Sequence, residues 1–259
     1  MFKKRYASRS LRGKLRVSKY LSSEKKLKKH IPKTVSFSRD HLEMMLKRFD
    51  MLYVKPDFGF QGRGISKLKK AGSGYELYEI EGKRQIHKTY ASVSNVYRRL
   101  KKQSAGKLII QKGIALDRVK DRPYDIRAMV QRKPKGSWVC TGFMVKVGGR
   151  NKIVTNYYQG GAIYTLEKLG AEQGISSKKT AGRVRKLTDT ALQISNVLSK
   201  HRSGMHELGI DFAYDKKGHL WVLEVNSSHP QFHPLKQLDP PAYKKMKRFA
   251  ASYGRREAT

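Results

Sequence analysis

The sequence predicts an α+β protein whose strands pair mainly in antiparallel fashion, and three observations support this class. Alternating apolar and polar runs follow one another across 51–87 with glycine-containing turns between them, which is typical of an antiparallel meander. An amphipathic helix is predicted for 176–201, since its apolar residues recur every three or four positions. Strand-like runs at 209–214 and 219–226 flank the turn 215–218 and predict a hairpin.

The remaining elements follow from local patterns. A basic helix is predicted for 18–30, ended by Pro32, and a helix over 39–49 begins after Ser38, whose hydroxyl can cap it. A last helix begins at Asp239 and Pro240. Further strands are predicted at 34–37, 51–55, 65–68, 75–80, 84–87, 107–111, 124–131 and 138–147, and a further helix at 92–102.

The chain is strongly basic. Its 259 residues include 57 Lys and Arg against 20 Asp and Glu, a net charge of +37. Residues 1–33 carry +12 and residues 34–235 carry +20, so the excess is not confined to a tail. We expect salt-dependent binding of polyanions. A solvated lysine-rich surface is the alternative.

Composition excludes several classes of protein. Hydrophobic residues make up 38%, which excludes a fully disordered basic tail. The lone Cys140 excludes an intramolecular disulfide and is expected to be a buried, inert thiol in a reducing cytosol. No apolar run approaches the roughly 18 residues of a membrane span, and no secretory signal is found; an organellar transit peptide is the alternative for the Arg- and Ser-rich start. His229 and His233 are assigned a structural or surface role, because Pro230 disfavours a helix there.

The predicted hairpin places three oxygen-bearing side chains on one face. Glu224 and Asn226 are two residues apart on one strand and point the same way, and Asp211 lies on the partner strand. Neighbouring carboxylates repel one another unless a hard cation such as Mg²⁺ lies among them. Leu223 and Val225 would then form the buried face. The set indicates a metal site, and a strand face open to water is the alternative.

A glycine-rich loop follows a predicted buried strand. Lys55 ends that strand, and Gly59, Gly62 and Gly64 follow it. The free backbone N–H groups of such a loop, together with the charge of the lysine, suit a phosphate. A P-loop is excluded because no Gly-Lys-Ser/Thr follows, and a Rossmann turn is excluded because no helix follows. A plain hairpin turn is the alternative.

A third pattern combines Asp125 and Arg127 on one face of a predicted strand, with Ile126 and Ala128 on the other. Arginine suits a transferring phosphoryl group because it is planar, always charged and bidentate. A plain Asp/Arg pair is the alternative. A second glycine loop, at Gly160 and Gly161, follows the amide of Asn156.

In this order, the segments resemble those of ATP-grasp enzymes, and more closely the YheC/YheD-type ATP-grasp proteins of endospore-forming bacteria. Each segment is short, but the ordered set is specific. The matching segments are 31–34, 53–64, 111–114, 125–127, 155–156 with 160–161, 207–211 and 224–226. One departure is the sequence Ser227-Ser228-His229-Pro230, where many relatives have Pro-Gly.

The resemblance implies the ATP-grasp fold, in which two α+β subdomains with mainly antiparallel sheets grip ATP between them. It implies a basic N-terminal arm or helix at 1–30 and an ATP-grasp domain at 31–235. Within that domain, 31–110 would be the smaller part with the glycine-rich loop and 111–235 the larger part with the Mg²⁺ site. A basic C-terminal helix would follow at 236–259.

The resemblance also implies roles for individual residues. Asp211, Glu224 and Asn226 would hold one or two Mg²⁺ ions, and Lys55 and Arg127 would act on the transferred phosphoryl group. Lys19 is the candidate for a further upstream lysine that such families use for ATP. The residues implied to bind ATP are Lys19, Lys55, Gly59, Gln61, Gly62, Arg63, Gly64, Gln111, Lys112, Ile114 and Asn156.

The implied activity is that of an ATP- and Mg²⁺-dependent carboxylate-amine ligase, which phosphorylates a carboxylate to an acylphosphate that an amine then attacks. Most of the positive charge exceeds what one nucleotide needs, so we expect an acidic or polyanionic substrate or a spore-associated partner, with nucleic acid as the second choice. The expected location is the bacterial cytoplasm or the spore. The alternatives are a noncatalytic ATP-grasp domain that binds polyanions, and a kinase that stops at phosphoryl transfer.

Overall fold

The structure, a computed structural model, describes residues 4–59, 64–81, 84–104, 106–150, 153, 155 and 161–257. Its helices are α1 (Lys14–Ser23), α2 (Lys25–Lys28), α3 (Arg39–Arg48), α4 (Val93–Gln103), α5 (Leu166–Glu172), α6 (Ser177–His201), α7 (Leu235–Leu238) and α8 (Pro240–Ser252). Its strands are β1 (Thr34–Ser36), β2 (Met51–Pro56), β3 (Ser66–Ala71), β4 (Gly74–Glu81), β5 (Arg84–Tyr90), β6 (Leu108–Lys112), β7 (Arg118–Val119), β8 (Arg122–Gln131), β9 (Val139–Val147), β10 (Ala162–Tyr164), β11 (Glu207–Tyr214) and β12 (Leu220–Asn226). These strands pair in antiparallel fashion throughout the described residues, as predicted.

The first sheet has the strand order β1-β6-β2-β3-β4-β5, and its last four strands form the predicted meander. Helices α3 and α4 cover one of its faces, where Leu42, Leu52, Val96 and Ile110 are buried together. The predicted cap of α3 is confirmed, since the hydroxyl of Ser38 accepts a hydrogen bond from a backbone N–H in the first turn. This packing fixes the position of β2. The side chain of Lys55, on β2, reaches the second sheet.

The second sheet has the order β10-β9-β8-β11-β12. Helix α6 covers one face, where Ile126, Ala128, Ile210 and Phe212 are buried in the largest apolar cluster. Helices α7 and α8 cover part of the other face, around Met129. The rest of that second face, at the Arg127 end of β8, is left for polar side chains.

The basic segment at the start of the chain differs from its prediction. The helix predicted for 18–30 is two helices, because Glu24 adopts an extended backbone conformation between α1 and α2. Val17, Leu21 and Leu27 from these helices are buried in the apolar cluster of the second sheet. The described part of the segment is therefore packed against that sheet.

Four short elements of the described chain have no counterpart among the predictions. These are β7, β10, α5 and α7, which are two, three, seven and four residues long. Such lengths are too short for a periodic pattern to distinguish them from loops. Among the described residues, no helix combines the length and the apolar character that crossing a bilayer requires.

Candidate functional site

The predicted site residues of the two sheets meet at Lys55, the fifth residue of β2. Its Nζ donates to Oε1 of Gln111 at 2.8 Å within the first sheet and to the carbonyl of Leu223 at 3.4 Å in the second. Lys55 is 8% exposed, and burial lowers its pKa to about 8, although the carboxylates of Glu224 and Asp211 oppose this shift. A buried cation thus stands where the sheets adjoin.

The β11/β12 hairpin has the register that the sequence predicts around its acidic residues. Asp211 pairs with Glu224, and Gly209 pairs with Asn226. Directly opposed residues share a face of the sheet, so the three predicted metal ligands lie on one face. The pairing of β11 with β12 therefore brings the three residues together.

A β-bulge next to this pair corrects one expectation. The register shifts between Asp211 and Phe212, so Phe212 pairs with Val222 and Leu223 is the extra residue. Val222, and not Leu223, therefore packs with Val225 in the apolar cluster, and the prediction for Leu223 is wrong. The bulge turns the carbonyl of Leu223 toward Lys55, in keeping with the tendency of bulges to re-aim groups beside functional sites.

Asp211 is held by two cations. Arg127 donates to both of its carboxylate oxygens, at 2.9 and 2.7 Å, and Nζ of Lys146 lies 3.2 Å from Oδ1. Burial would raise the pKa of Asp211, but the charges of Arg127 and Lys146 outweigh it and hold the pKa below its usual value. Arg127 is therefore fixed in orientation by the carboxylate opposite it.

Asp125 adds a second buried carboxylate beside Lys146. Nζ of Lys146 lies 2.7 Å from Oδ1 of Asp125, and the Thr155 hydroxyl donates to its other oxygen. Burial raises the pKa of Asp125, and the charge of Lys146 offsets this only in part. Lys146 thus bridges Asp125 and Asp211. Sequence reasoning missed Lys146, although its place opposite Asp125 on β9 is a consequence of the predicted β8/β9 pairing.

Glu224 is contacted by a cation from the start of α1. Nζ of Lys14 lies 3.4 Å from Oε1 of Glu224 and donates to the carbonyl of Gly59 at 3.0 Å. Asp57 accepts a hydrogen bond from the backbone N–H of Leu15 at 2.8 Å and so caps this helix. Lys19, predicted as the upstream lysine, is exposed on the same helix, and none of the polar contacts between described residues joins it to this site. Lys14 is the residue of this helix that contacts Glu224 and Gly59.

The glycine-rich loop is described at its two ends. Gly59 and Gly64 both lie against Pro56, and a Cβ on Gly64 would come within 3.1 Å of the proline ring. Gly64 also has φ of +68°, which side-chain-bearing residues rarely adopt. Position 64 therefore suits glycine, whereas a Cβ at Gly59 would lie 3.4 Å from Pro56, an ordinary contact. The predicted ligands Gln61, Gly62 and Arg63, and Asn156 of the second loop, lie outside the described residues.

The segment predicted to hold adenine joins the sheets. The Gln111 amide donates to Thr34 at 3.1 Å, so with its bond from Lys55 both ends of that amide have partners. Nζ of Lys112 lies 4.5 Å from the centre of the Trp221 ring, and Ile114 is buried. The side chain of Gln111 thus orients Lys55, and the backbone N–H groups of Lys112 and Gly113 donate to the carbonyls of Lys33 and Met51, both at 2.8 Å.

The donor chemistry fits Mg²⁺. Within the described part of the chain, no three His, Cys, Asp or Glu side chains are arranged to hold a metal by themselves. Asp211 and Glu224 supply two carboxylates, and Asn226 supplies an amide oxygen. Mg²⁺ in proteins commonly uses one or two carboxylates and completes its shell with phosphate oxygens and water. The set therefore fits a Mg²⁺ that is shared with a bound phosphate.

A family model described as YheC/D-like ATP-grasp matches residues 3–255. Among curated proteins, endospore coat-associated protein YheD of Bacillus subtilis (strain 168) is 30% identical over 200 residues, which are 73% of this chain and 43% of that protein. Endospore coat-associated protein YheC of the same strain is 24% identical over 226 residues, 87% of this chain and 62% of that protein. The chain spans about half the length of these relatives.

Solved structures resemble the chain more weakly. The N5-carboxyaminoimidazole ribonucleotide synthetase of Thermotoga maritima is 14% identical with a TM-score of 0.49, and the match covers 96% of this chain and 51% of that one. The VanG D-Ala:D-Ser ligase of Enterococcus faecalis is 15% identical with a TM-score of 0.49, over 83% of this chain and 52% of that one. The family match, and not these two structures, carries the assignment.

Proposed function

Since this chain belongs to the YheC/D-like ATP-grasp family, we propose that it binds ATP with Mg²⁺ and uses it to join a carboxylate to an amine. One observation carries the proposal: buried and half-buried cations from both sheets and from α1 converge on a cluster of carboxylates, as a triphosphate with its metal would require. The cations are Lys14, Lys55, Arg127 and Lys146, and the carboxylates are Asp125, Asp211 and Glu224.

The nucleotide would lie between the sheets. Lys55 and Lys14 would contact its phosphates beneath the loop of Gly59, Gln61, Gly62, Arg63 and Gly64. The base would lie against the backbone of Lys112 and Ile114, beside Gln111. Lys14 takes the role that the sequence assigned to Lys19, because Lys14 already contacts both the glycine-rich loop and Glu224.

Asp211, Glu224 and Asn226 would hold the metal. Bound there, Mg²⁺ would neutralise charge on the β- and γ-phosphates. Arg127 and Lys146 would face the transferred phosphoryl group, and their contacts with Asp211 and Asp125 keep their long side chains in place before the substrate arrives. Asn156, next to Thr155, is proposed to contact the same group. Positioning and charge neutralisation are what phosphoryl transfer asks of a protein.

The proposed reaction has two steps. An oxygen of the substrate carboxylate attacks the γ-phosphorus of ATP, and the bond to the β-γ bridging oxygen breaks, which gives an acylphosphate and ADP. The amine nitrogen then attacks the acyl carbon, loses a proton and displaces inorganic phosphate, which gives an amide. In the first step Arg127 and Lys55 would stabilise the negative charge on the transferred group.

The test is ATP turnover with a panel of carboxylic acids in the presence of hydroxylamine, which converts an acylphosphate to a hydroxamate. We expect Mg²⁺-dependent ADP and hydroxamate from the wild type and a large loss of both in Glu224→Gln. ADP without hydroxamate would favour a kinase. No binding of ATP in the presence of Mg²⁺ would refute the proposal, and turnover unchanged in Glu224→Gln would refute the metal assignment.

Both curated relatives are named endospore coat-associated proteins, and on that ground we propose that this chain serves a spore-forming bacterium, in its cytoplasm or at the spore. An acidic polymer or other spore component would be its substrate or partner. Fractionation of sporulating cells tests this. Protein that is detected in neither the cytoplasm nor purified spores during sporulation would contradict the proposal.

A second candidate function, polyanion binding, is favoured by the charge on the far side of the second sheet. The α2–α6 basic face consists of exposed Lys25, Lys26, Lys28, Lys29, Arg185 and Lys186. Burial lowers the pKa of His30, and Lys29 and Lys186 lower it further, which places these two lysines on the same side of the molecule. Helix α6 packs on the sheet face opposite Arg127, so these cations are remote from the proposed nucleotide.

Heparin binding tests this second function. We expect the affinity to fall steeply as salt rises from about 50 to 200 mM, because binding releases condensed counterions. Reversal of the four lysines of α2 and its C-cap to Glu should weaken heparin binding and leave ATP binding unchanged. Affinity that does not depend on salt, or that survives the reversal, would contradict binding at the α2–α6 basic face.

A further inference from the structure

The proposed mechanism leaves unused a second buried carboxylate, Glu207, the first residue of β11. It is fully buried, and its partners come from the two ends of the described chain. From the N-terminal side, the Tyr6 hydroxyl donates to it and Nζ of Lys4 lies at 3.2 Å. From the C-terminal side, Nη1 of Arg255 donates at 2.5 Å and the Tyr253 hydroxyl at 3.1 Å. We call these four partners the terminal clasp.

The terminal clasp also holds a short segment of chain, 227–230. Nη1 of Arg255 donates to the carbonyl of Pro230 at 2.9 Å. Nη2 of Arg255 lies 3.2 Å from Nε2 of His229, and the Tyr6 hydroxyl lies 2.7 Å from its Nδ1. A guanidinium group can only donate, so Nε2 accepts and Nδ1 carries the hydrogen that it donates to Tyr6. His229 therefore lies between one residue from each end of the chain.

The first residue of this segment, Ser227, is held from the N-terminal side. The Ser227 hydroxyl accepts from the backbone N–H of Leu11 at 2.8 Å and donates to its carbonyl at 2.9 Å. The Ser227 carbonyl accepts from Lys4 at 3.0 Å and from the Ser10 hydroxyl at 3.2 Å. Polar contacts thus fix the segment at both of its ends.

The segment 227–230 begins directly after Asn226 and returns over β11. Oδ1 of Asn226 accepts a hydrogen bond from the backbone N–H of Ser228 at 3.0 Å, so the path of the segment sets the orientation of that amide. Pro230 then lies on Gly209, the register partner of Asn226, where a Cβ would come within 2.7 Å of the proline. The end of the segment is therefore packed between Glu207 and Asp211.

We propose that the terminal clasp positions the amide oxygen of Asn226 by holding the segment 227–230. The inference rests on the proposed function, in which Asn226 is a ligand of Mg²⁺. Tyr6 is here a positioning residue, since it acts through His229. The two ends of the chain thereby become part of the support of the site, although both are remote from it in sequence.

A matched pair of variants tests the clasp. Tyr6→Phe and Tyr253→Phe each remove one hydroxyl that donates to Glu207, but only Tyr6 also contacts His229. The first measurement is hydrogen exchange of a peptide spanning 226–231 without nucleotide. We expect exchange to accelerate roughly three- to tenfold in Tyr6→Phe, the factor that one lost hydrogen bond corresponds to, and to stay within about twofold in Tyr253→Phe.

The second measurement is the Mg²⁺ concentration that half-saturates binding of a nonhydrolysable ATP analogue. We expect it to rise about three- to tenfold in Tyr6→Phe, from the same lost hydrogen bond, and not in Tyr253→Phe. His229→Ala, which leaves Glu207 and its four partners intact, should reproduce both effects and serves if Tyr6→Phe does not fold.

Exchange that is unchanged in Tyr6→Phe, or raised equally in both tyrosine variants, would overturn the proposal. Faster exchange with an unaltered Mg²⁺ requirement would overturn the positioning of Asn226, provided that Glu224→Gln does raise that requirement. A wild type whose nucleotide binding needs no Mg²⁺ would defeat the proposed function and this inference together. The exchange data would then still report whether the clasp holds the segment.

Discussion

Glu207 and Asp211 lie four residues apart on the same face of β11, and each is paired with an arginine. Glu207 is fully buried, with Arg255 at 2.5 Å, and Arg255 is itself only 1% exposed. Asp211 is 7% exposed and receives two hydrogen bonds from Arg127. The two pairs are alike in chemistry, so the difference between them lies in their surroundings.

Around Glu207 the remaining partners are neutral hydroxyls and Lys4, and no second carboxylate is among its partners in the described chain. Beside Asp211 stand two further carboxylates, Glu224 across the hairpin and Asp125 beyond Lys146. Clustered carboxylates cost stability, which a protein tolerates where a cation or a ligand is to be bound. The comparison therefore separates a carboxylate that joins the two ends of the described chain from one that belongs to the proposed binding site.

The largest effect is expected from removing charge at the two carboxylates. Glu207→Gln leaves the buried guanidinium of Arg255 without a counter-charge and should lower the free energy of unfolding by about 3–5 kcal/mol. Asp211→Asn leaves Arg127 and Lys146 near Asp125 and should cost less, about 1–3 kcal/mol. Urea unfolding at pH 7 measures both. A larger loss of stability at Asp211 than at Glu207 would reverse the comparison.

The same two regions show what sequence could predict. Strand alternation and a short turn are local features, and they predict which side chains share a face of the sheet. They place Asp211, Glu224 and Asn226 on one face, and they likewise place Asp125 and Arg127 on one face. The bulge at Leu223 and the contact of Lys14 with Glu224 depend on how separate segments pack, so no periodic pattern contains them.

The contacts between Glu207 and the terminal clasp were also beyond local patterns. Glu207 and Arg255 are 48 residues apart, and a charged residue within an apolar strand run gives no sign of its partner. The α+β class and the family are confirmed. The division of the chain at 110/111 and the roles of the site residues stay predictions, and those at Gln61, Gly62, Arg63 and Asn156 lie outside the described residues.

A smaller effect is expected at Gly209, which separates the two carboxylates along β11. Gly209→Ala would place a methyl group 2.7 Å from Pro230, a rigid ring that cannot turn away, and should destabilise the fold by about 1–3 kcal/mol. Gly182→Ala in α6 is the matched control. Beyond the nearby backbone of α6 itself, no atom of the described residues lies within 4 Å of a Cβ there, and alanine should stabilise that helix by about 0.5–1 kcal/mol. Equal effects of the two changes would mean that the segment 227–230 does not press on β11.

The charge of the buried Lys55 can be tested by pH. The pKa of Lys55 is about 8, so its ammonium loses its proton just above neutrality, whereas a bound phosphate would favour the protonated form. ATP affinity should therefore be constant up to about pH 7.5 and fall by up to about tenfold per unit above pH 8, the limit for one coupled proton. Calorimetric titrations from pH 7 to 9.5 measure this. Lys55→Gln should bind weakly without that slope, and the same slope in the variant would assign the titration to another group.

The smallest change in stability is expected from Lys14, whose ion pair with Glu224 is partly open to water. Ion pairs that are exposed to water contribute little to stability, so Lys14→Gln should alter the free energy of unfolding by no more than about 0.5 kcal/mol. Its effect on ATP binding should nevertheless be clear, because Lys14 contacts both the glycine-rich loop and a proposed metal ligand. Lys19→Gln, in the same helix and exposed, should leave ATP affinity unchanged. If Lys19→Gln weakens ATP binding and Lys14→Gln does not, the upstream lysine is the one predicted from sequence, and the contact of Lys14 with Glu224 has no part in binding ATP.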